Sequence, residues 1–576
     1  MLMDILIGYS LYGISLLTVG GIYAILALGL NIQWGYAGLF NVGIAGFAAI
    51  GAYTFALMTT APSSYHFGGL DLPLPMAIAC AMLLSGLVAF FIGLICIRLR
   101  SDYLAISTIG IAEIIKLFLK NETELTNGPR GINKIPRVWE HLTEERFYTK
   151  APMSWLSDAN GWEYFFDSLP IWWWQPFFCI TILLIVFVIY KLLEKAQRSP
   201  WGRMMTAIRE NENAAHAAGK DVTRRRIEAF VIGAMVMGLA GAILSQHLRL
   251  IDPTNTFDPS KMTFLVWVML IAGGSGNNKG AIFGAFLVWV IWSASEIFIN
   301  SGLHIFGEMI SDMDISLLKT RAGYLRMVVI GLLLQYILQK YPEGIMPESR
   351  PVQTGENFKT ESVMKNIQLA AGLACYMMAT TVQADVVVGN PMAVTGPIPD
   401  LVAPMVAAVD LAEKHINEQG GMFASGEKFV VARADSQCDP VAAVDAVTKL
   451  INVNMVTGIV GPVCSGATIA QAESVSIPAG VVTLSVSASS PAISNMENGT
   501  DLVFRSAASD AYQGVALAEL AMSKGIKDIA VSYANDDYNA GIAEVFAKSF
   551  AAMGGKITSN EAHEPNKASY RAEVAT

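Results

Sequence analysis

The chemically richest stretch in the first half of this 576-residue chain is the polar segment 199–219, SPWGRMMTAIRENENAAHAAG. Its ionisable side chains are Arg203, Arg209, Glu210, Glu212 and His216. Nothing in this set is arranged for acid–base or nucleophilic catalysis, so its expected role is contact with another protein. A solvated helix at the membrane interface is the alternative. Basic residues flank the segment on both sides, which predicts a cytoplasmic location.

Ionisable groups within the apolar stretches are few. Glu113 lies in an apolar run, where an ionisable residue is a functional candidate by default. Lys116, three residues on, would share its helix face and pair with it, and we favour this structural interpretation. Cys80, Cys96 and Cys179 also lie in apolar runs and are expected to be buried thiols.

Of the classes of protein considered, an enzyme is the least expected, because the sequence contains no Ser/His/Asp catalytic set and no cluster of cysteines with metal-binding spacing. We therefore expect no catalytic residue, no metal and no cofactor.

Charge divides the chain in two. Residues 1–363 hold 27 basic and 27 acidic residues, whereas residues 364–576 hold 12 basic and 21 acidic ones, so the net charge of −9 lies entirely in the second part. The pattern predicts a membrane domain joined to a soluble acidic domain, and neither part has the basic stripe of a nucleic-acid-binding protein.

Apolar runs predict about nine membrane spans, since a crossing needs about 20 apolar residues. The first two are separated at Gln33–Gly35, and the seventh is short enough to be re-entrant. The basic loops then place the N-terminus and the loop 121–170 outside and the tail inside. The predicted spans are Ile7–Asn31, Leu39–Thr60, Met76–Ile97, Tyr103–Leu119, Ile171–Tyr190, Ile227–Gln246, Met262–Ala272, Gly280–Ile299 and Tyr324–Leu338.

Small residues recur every four positions in several of these spans. Such stripes let helix backbones approach closely in lipid, so we interpret them as packing surfaces rather than as a substrate path. The stripes are Ala45–Ala49, Ala48–Ala52, Gly280–Gly284 and Ala234–Gly238–Ala242.

A signal-peptide pattern occurs in the middle of the chain. The polar stretch Glu343–Ser362 predicts a flexible tail, and Met364–Ala384 comes next with one early Lys, a short apolar core and a cleavage site after Ala384. A lipoprotein site at Cys375 is a weaker alternative. The position of this pattern suggests that two neighbouring genes have been joined at Met364, with the second domain exported and either cleaved or tethered.

From Asp385 the pattern changes to short apolar strands alternating with amphipathic helices, which predicts a parallel α/β sheet. The predicted strands are Val386–Gly389, Phe429–Ala432, Thr457–Val460, Val481–Leu484 and Ile529–Ser532. The predicted helices are Leu401–Glu418, Val441–Val453, Ala511–Ser523 and Ala540–Met553. Cys438 and Cys464 each follow a strand; a disulfide is expected if the domain is exported, and buried thiols are the alternative.

Several motifs of the first domain, in order, resemble the permeases of branched-chain amino-acid ABC importers. They are Trp34–Tyr53, Leu99–Leu117, Thr126–Ile132, the segment 199–219 and the run 229–243. The resemblance implies a channel subunit that works with a second homologous permease, two ABC ATPase subunits and a substrate-binding protein. ATP hydrolysis would then occur on separate subunits, since this chain has no phosphate-binding loop of the G-x-x-x-x-G-K-[ST] type.

Within that resemblance, the segment 199–219 corresponds to the coupling helix that docks on the ATPase. The residues that carry this role over are Arg209, Glu212, Ala214, Ala215 and Gly219. Asn213 stands where the family motif has Glu. Gly219 would end the helix in a left-handed cap.

The second domain resembles leucine/isoleucine/valine-type periplasmic binding proteins in VVVGNPMAVTGPIPD, DSQCDP, GIVGPVCSGAT and YANDDYNAG. The resemblance implies that Cys438 and Cys464 form a disulfide. It further implies that the ligand is bound by Ser465, Ser487, Ser489 and Tyr538. Leu401 replaces the family's aromatic residue near the first turn.

Together these features predict a helical polytopic membrane domain followed by a truncated type I periplasmic-binding-protein domain. The expected boundaries are 1–347 for the permease, 348–363 for a linker, 364–384 for the internal signal peptide and 385–576 for the binding domain. The chain is expected in the bacterial inner membrane with the second domain in the periplasm. A urea or short-amide permease of the same family is one alternative, and a membrane-anchored ligand sensor is another.

Residues 385–576 are expected to bind leucine weakly. The family's acidic partner for the ligand ammonium would lie beyond Thr576, and a desolvated zwitterion needs both ends satisfied. Isothermal calorimetry of this fragment with leucine should show no micromolar binding; a micromolar affinity would contradict the expectation.

Overall fold

A computed structural model describes residues 2–62, 68–99, 101–128, 131–132, 135–138, 174–251, 253, 256–257, 259–309, 331–332, 335–337, 339–348, 386–420, 428–496, 502–534 and 536–563. The internal signal peptide, its cleavage site, Cys375, most of the linker, most of the loop 121–170 and most of the ninth predicted span lie outside these residues.

The first domain is helical throughout its described part. Its helices are α1 (Leu2–Leu30), α2 (Ile44–Thr59), α3 (Leu74–Cys96), α4 (Ser101–Asn121), α5 (Thr123–Thr126), α6 (Trp174–Arg198), α7 (Pro200–Glu210), α8 (Glu212–Ala217), α9 (Val222–Leu248), α10 (Pro259–Gly273) and α11 (Asn278–Met309). Eight of the nine predicted spans coincide with α1–α4, α6 and α9–α11.

Four helical stretches within the described residues have the length and hydropathy of a membrane span: Gly13–Tyr36, Leu74–Cys96, Gln175–Arg198 and Val222–Leu248. Three shorter apolar helices, Ile44–Thr59, Met262–Gly273 and Asn278–Ser293, accompany them. A multi-pass helical domain is therefore present, whereas the count of nine spans stays a prediction.

Two predicted boundaries were wrong in detail. Helix α1 does not break at Gln33–Gly35 but continues as a π-turn, Asn31–Tyr36, and the helix-free stretch is 37–43. The segment 199–219 is not one helix, because the chain is extended at Asn211 and restarts there as α8. The Asn211 side chain explains the restart, since it accepts a hydrogen bond from the Ala214 N–H at 3.0 Å and so caps α8.

Helix α9 is the centre of the bundle and packs against α1, α2 and α3. The approach of α2 is especially close: a Cβ atom at Gly241 would lie 1.9 Å from the Ala48 carbonyl oxygen, and one at Gly51 would lie 2.1 Å from that of Gly238. The alanines of the predicted stripes on α2 and α9 are also buried. The interpretation of these stripes as packing surfaces is confirmed.

The described loops gather at two opposite ends of the bundle. At one end, α7 and α8 lie beside the π-turn and the turn 274–277 between α10 and α11. At the other end, Ile132 pairs with Ile251, just after α9, and the Arg137 guanidinium donates to the Gln246 and His247 carbonyls in the last turn of α9. The predicted cytoplasmic and external elements are thus separated from each other.

The tail predicted as flexible from Glu343 is folded onto the bundle as far as Glu348. The Ile345 and Met346 N–H groups donate to the carbonyls of Ala272 and Gly273 at 2.9 Å each, and the Asn277 side-chain amide donates to the Met346 and Pro347 carbonyls. These bonds satisfy carbonyls at the end of α10 and hold the tail against it. The prediction of a flexible tail was therefore wrong for residues 343–348.

The second domain is α/β, as predicted. Its strands are β1 (Val386–Met392), β2 (Phe429–Asp435), β3 (Gly458–Val460), β4 (Val482–Ser485), β5 (Val503–Arg505), β6 (Asp528–Ala534) and β7 (Lys556–His563). Its helices are α12 (Pro399–Glu418), α13 (Pro440–Asn452), α14 (Ser465–Gln471), α15 (Asp510–Ser523) and α16 (Asp537–Ala552). A parallel sheet of order β2-β1-β3-β4-β5 forms one lobe, and the parallel pair β6-β7 belongs to a second.

Replacing Gly241 by Ala should destabilise the helical domain by about 1–3 kcal/mol, because the new methyl group overlaps the α2 backbone. Thermal unfolding of the detergent-solubilised chain would show this as a lower midpoint. Gly110→Ala is the matched control, since nothing lies within 4 Å of a Cβ at Gly110 on α4. Equal midpoints for the two variants would contradict the packing analysis.

Candidate functional site

The site on the helical domain is the pair of short helices α7 and α8. Ser199 begins α7, and its hydroxyl accepts a hydrogen bond from the Trp201 N–H at 3.2 Å, with Pro200 in the first helical position. Helix α8 ends at Ala217; Gly219, two residues later, has φ +75°, and the Lys220 N–H bonds back to the Ala215 carbonyl. Both ends are therefore fixed by local sequence.

Two side chains of this pair, Glu212 and Trp201, attach it to α9. The Glu212 carboxylate accepts two hydrogen bonds of 2.9 Å from Arg226 Nη1, and Arg226 is only 12% exposed. The Trp201 indole N–H donates to Glu228 at 3.3 Å, and Glu228 also pairs with Arg225 at 2.7 Å. Glu212 thus has a partner within its own chain.

The outer face of the pair is exposed and rich in small residues. Ala215, which the resemblance assigned to the docking surface, is 7% exposed and packs into the domain's own core, whereas Ala214 is exposed. The exposed residues of α7 and α8 are Pro200, Arg203, Ala207, Glu210, Glu212, Asn213, Ala214, His216 and Ala217. This face could receive another protein at short distance.

Arg209, at the end of α7, faces the bundle. Its guanidinium donates to the Gly35 carbonyl of the π-turn and, at 2.7 Å, to the Glu348 carboxylate of the tail. Sequence analysis named Arg209 but not its two partners. The sequence did contain one indication of a polar contact here, namely Asn31 and Asn278 at the edges of apolar runs. In the structure these two side chains bond to each other at 3.0 Å beside the Arg209 contact.

Glu113 and Lys116 on α4 form an ion pair at 3.9 Å, with Glu113 half exposed. The contact agrees with the structural interpretation of Glu113.

The site predicted on the α/β domain lies at the carboxyl ends of β3 and β4. Cys438 and Cys464 form the disulfide, with Cα atoms 5.4 Å apart, and Ser465 follows as the first residue of α14. Parallel sheets bind ligands at this edge.

The three predicted serines gather there but are already hydrogen-bonded. The Ser465 oxygen accepts from the Ser490 N–H at 3.3 Å, the Ser487 hydroxyl donates to the Val463 carbonyl at 2.9 Å, and the Ser489 hydroxyl donates to Asp510 at 2.6 Å. Ser465 is only 3% exposed, so the whole residue is buried in this structure.

Tyr538 lies apart from the serines, on α16 of the second lobe, and is partly exposed. The two lobes approach each other here, since a Cβ at Gly541 would lie 2.9 Å from Pro491.

Sequence analysis missed Arg505 and Asp510. Arg505 Nη1 donates to the carbonyls of Ser489 and Ser490 at 2.9 and 2.8 Å, which fixes the loop that carries these two residues. The Asp510 carboxylate accepts the hydrogen bond of the Ser489 hydroxyl. Arg505 ends β5 and Asp510 begins α15, so only the fold brings them to the loop.

Two family models match the chain. One, described as the permease component of the branched-chain amino acid transport system, matches residues 13–338. The other, described as a periplasmic binding protein, matches residues 385–576.

Individual relatives divide in the same way. The branched-chain amino acid permease LivM of Salmonella typhimurium is 31% identical over 59% of this chain and 71% of its own, and LivM of Escherichia coli is 30% identical over the same shares. The solved LivJ binding protein of Streptococcus pneumoniae, in complex with isoleucine, is 25% identical with a TM-score of 0.30. That match covers 33% of this chain and 53% of LivJ, so the chain spans about half the length of that binding protein.

The first model covers more than half of the chain, and the helical architecture agrees with it. The chain therefore belongs to the family of permease components of branched-chain amino acid transport systems, a family of transporters, and it carries in addition a region of the periplasmic-binding-protein type.

Proposed function

We propose that this chain is a permease subunit of an ABC importer that moves branched-chain or other hydrophobic amino acids across the inner membrane, with a fused part of a substrate-binding protein. The observation that carries the proposal is the exposed, alanine-rich face of α7–α8 at one end of the family's helical bundle. This face would dock on an ABC ATPase subunit, and hydrolysis would occur there.

The importer would contain a second homologous permease and two ATPase subunits. The relatives support this composition, since LivM and LivH are both named as permease proteins of one kind of transport system. A urea permease and a ligand sensor are less favoured, because the matched family is that of branched-chain amino acid permeases.

The orientation we propose places the end with α7 and α8 in the cytoplasm. Arg198, Arg203 and Arg224–Arg226 lie at that end, as the positive-inside rule requires. Nine crossings, counted with the span at Tyr324–Leu338, return the tail to the same end, where Met346 meets Gly273.

The domain division we propose is 1–347, 348–363, 364–384 and 385–576, with Glu348 still in contact with the bundle. The last part would be periplasmic, and an amino-acid ligand would meet Ser465, Ser487 and Ser489 from one lobe and Tyr538 from the other.

Ala214→Trp tests the docking face. The indole would project from an exposed position, so the chain should fold while capture of the ATPase and uptake of leucine both fall at least tenfold. Radiolabelled leucine uptake and affinity purification of the tagged full chain from its own cells measure the two quantities. Ala214→Ser keeps a small side chain and should behave as wild type. Undiminished uptake in Ala214→Trp would refute docking through this face.

Export of the α/β domain is tested with spheroplasts. Protease added outside should digest the region 386–563 while a cytoplasmic marker survives, and trapping of free thiols should find Cys438 and Cys464 oxidised. Protection of the region in intact spheroplasts would place it inside and contradict the proposal.

A further inference from the structure

Arg209 joins three segments that are far apart in sequence. Its guanidinium, on α7, donates through Nη1 to the Gly35 carbonyl and through Nη2 to Glu348 Oε2 at 2.7 Å. The side chains of Arg209 and Glu348 are only 18% and 19% exposed, so this pair is better shielded from solvent than an ordinary surface pair. A planar fork with several donors suits such a junction, and an ammonium group does not.

The Gly35 end of the junction is fixed to the rest of the bundle by amide groups. Asn31, in the same π-turn, accepts from the Gly276 N–H at 2.8 Å and donates to Asn278 at 3.0 Å. The Tyr36 hydroxyl also donates to Asn278, at 2.6 Å, and the Gln197 amide of α6 donates to the Gly276 carbonyl at 2.9 Å. The ends of α1, α6, α10 and α11 are thus bonded together beside Arg209.

The junction leaves no room for the segments to slide. A Cβ at Gly35 would lie 2.0 Å from Asn31 Oδ1 and 2.6 Å from the Gly276 nitrogen. A Cβ at Gly276 would lie 2.9 Å from Glu348 Oε2 and 3.1 Å from Arg209 Nη1. A displacement of α7 is therefore passed on to the π-turn and to the turn 274–277, because close-packed groups transmit strain.

We propose that Arg209 and Glu348, together with the Gly35 carbonyl, form a transmission clamp that couples movement of α7–α8 to α1 and to the α10–α11 pair. The two charged residues are positioning residues: neither contacts ATP or substrate, and both act through the helices they join. The inference rests on the proposed function, in which an ATPase moves α7–α8. It assigns a coupling role to Glu348 of the tail, a position that the sequence analysis predicted only as the start of a linker.

Loss of the clamp should lower the amount of substrate moved without lowering the amount of ATP hydrolysed, whereas loss of docking should lower both. The isosteric Glu348→Gln leaves every residue of α7–α8 in place, so in this variant the ATPase subunits should co-purify as in wild type and ATP hydrolysis should stay within about twofold. In both Glu348→Gln and Arg209→Gln, leucine transported per ATP hydrolysed should fall about tenfold. The double variant should be no worse than Arg209→Gln alone, because the Glu348 contact is already lost in that variant.

The experiment uses the tagged full chain, purified with its captured partners from its own cells and reconstituted in proteoliposomes with radiolabelled leucine and ATP. Arg209→Lys keeps the charge but cannot reproduce the fork, and it should also lose several-fold in leucine per ATP. Arg198→Gln is the matched control: that arginine is 82% exposed and pairs with Glu194 on its own helix, and its loss should leave the ratio unchanged.

Two results would overturn the clamp while the proposed function stands. One is a wild-type ratio of leucine to ATP in both Arg209→Gln and Glu348→Gln. The other is a parallel loss of ATPase capture, hydrolysis and uptake, which would show that the contact serves folding or assembly alone. A wild-type assembly that captures no ATPase or takes up no leucine would instead overturn the proposed function, and the clamp with it.

Discussion

The helical domain depends on the close approach of helix backbones where lipid offers little hydrophobic gain from association. Gly241 on α9 and Gly51 on α2 have no side chain, so these two helices lie directly against each other, and the neighbouring alanines extend the contact. Dispersion over such a surface replaces the hydrophobic effect that stabilises a soluble core. Close packing of the bundle therefore requires small residues on the surface of the central helix α9, against which α1 and α3 also pack.

Polar side chains within the bundle are used differently from the apolar ones. Gln33 donates to the Phe230 carbonyl at 2.8 Å and accepts from Asn41 at 2.7 Å, next to the helix-free stretch 37–43. A backbone that leaves the helix at membrane depth must find partners inside the protein. Here the Gly43 N–H donates to the Asn41 side chain at 2.8 Å and the Val42 N–H donates to the Thr108 hydroxyl at 3.0 Å. Gln33, Asn31 and Asn278 in addition bond the end of α1 to α9 and α11. The proposed coupling site thus lies beside helix ends that are bonded to one another.

Much of this architecture could be predicted from sequence, because the signals are long and repeated. Twenty apolar residues between basic loops locate a span whatever its neighbours are, and runs rich in Val and Ile locate buried strands. The errors occurred where the signal is local or absent. Strand β5 has three residues, and β7 reads KITSNEAH, with polar residues on an edge of its sheet. Neither carries a hydrophobic pattern.

The candidate sites show the same limit. The resemblance to periplasmic binding proteins assigned Ser465, Ser487 and Ser489 to one ligand site, but it could not show that each hydroxyl already has a partner. It named Ala214 and Ala215 together, although a helix turns by about 100° per residue and only one of them faces outward. The contact of Arg209 with Glu348 spans 139 positions, and no spacing rule reaches that far.

The order of strands in the first sheet of the α/β domain bears on how that domain is made. All five strands, β2-β1-β3-β4-β5, come from the single stretch 386–505, and neighbours in the sheet are separated by one helical crossover or two. Pairing across such crossovers is non-local, since Val388 of β1 meets Gly458 of β3, so this sheet forms more slowly than a hairpin would. All five strands are synthesised before β6 and β7, and until their ladders close the growing chain exposes open strand edges to its surroundings.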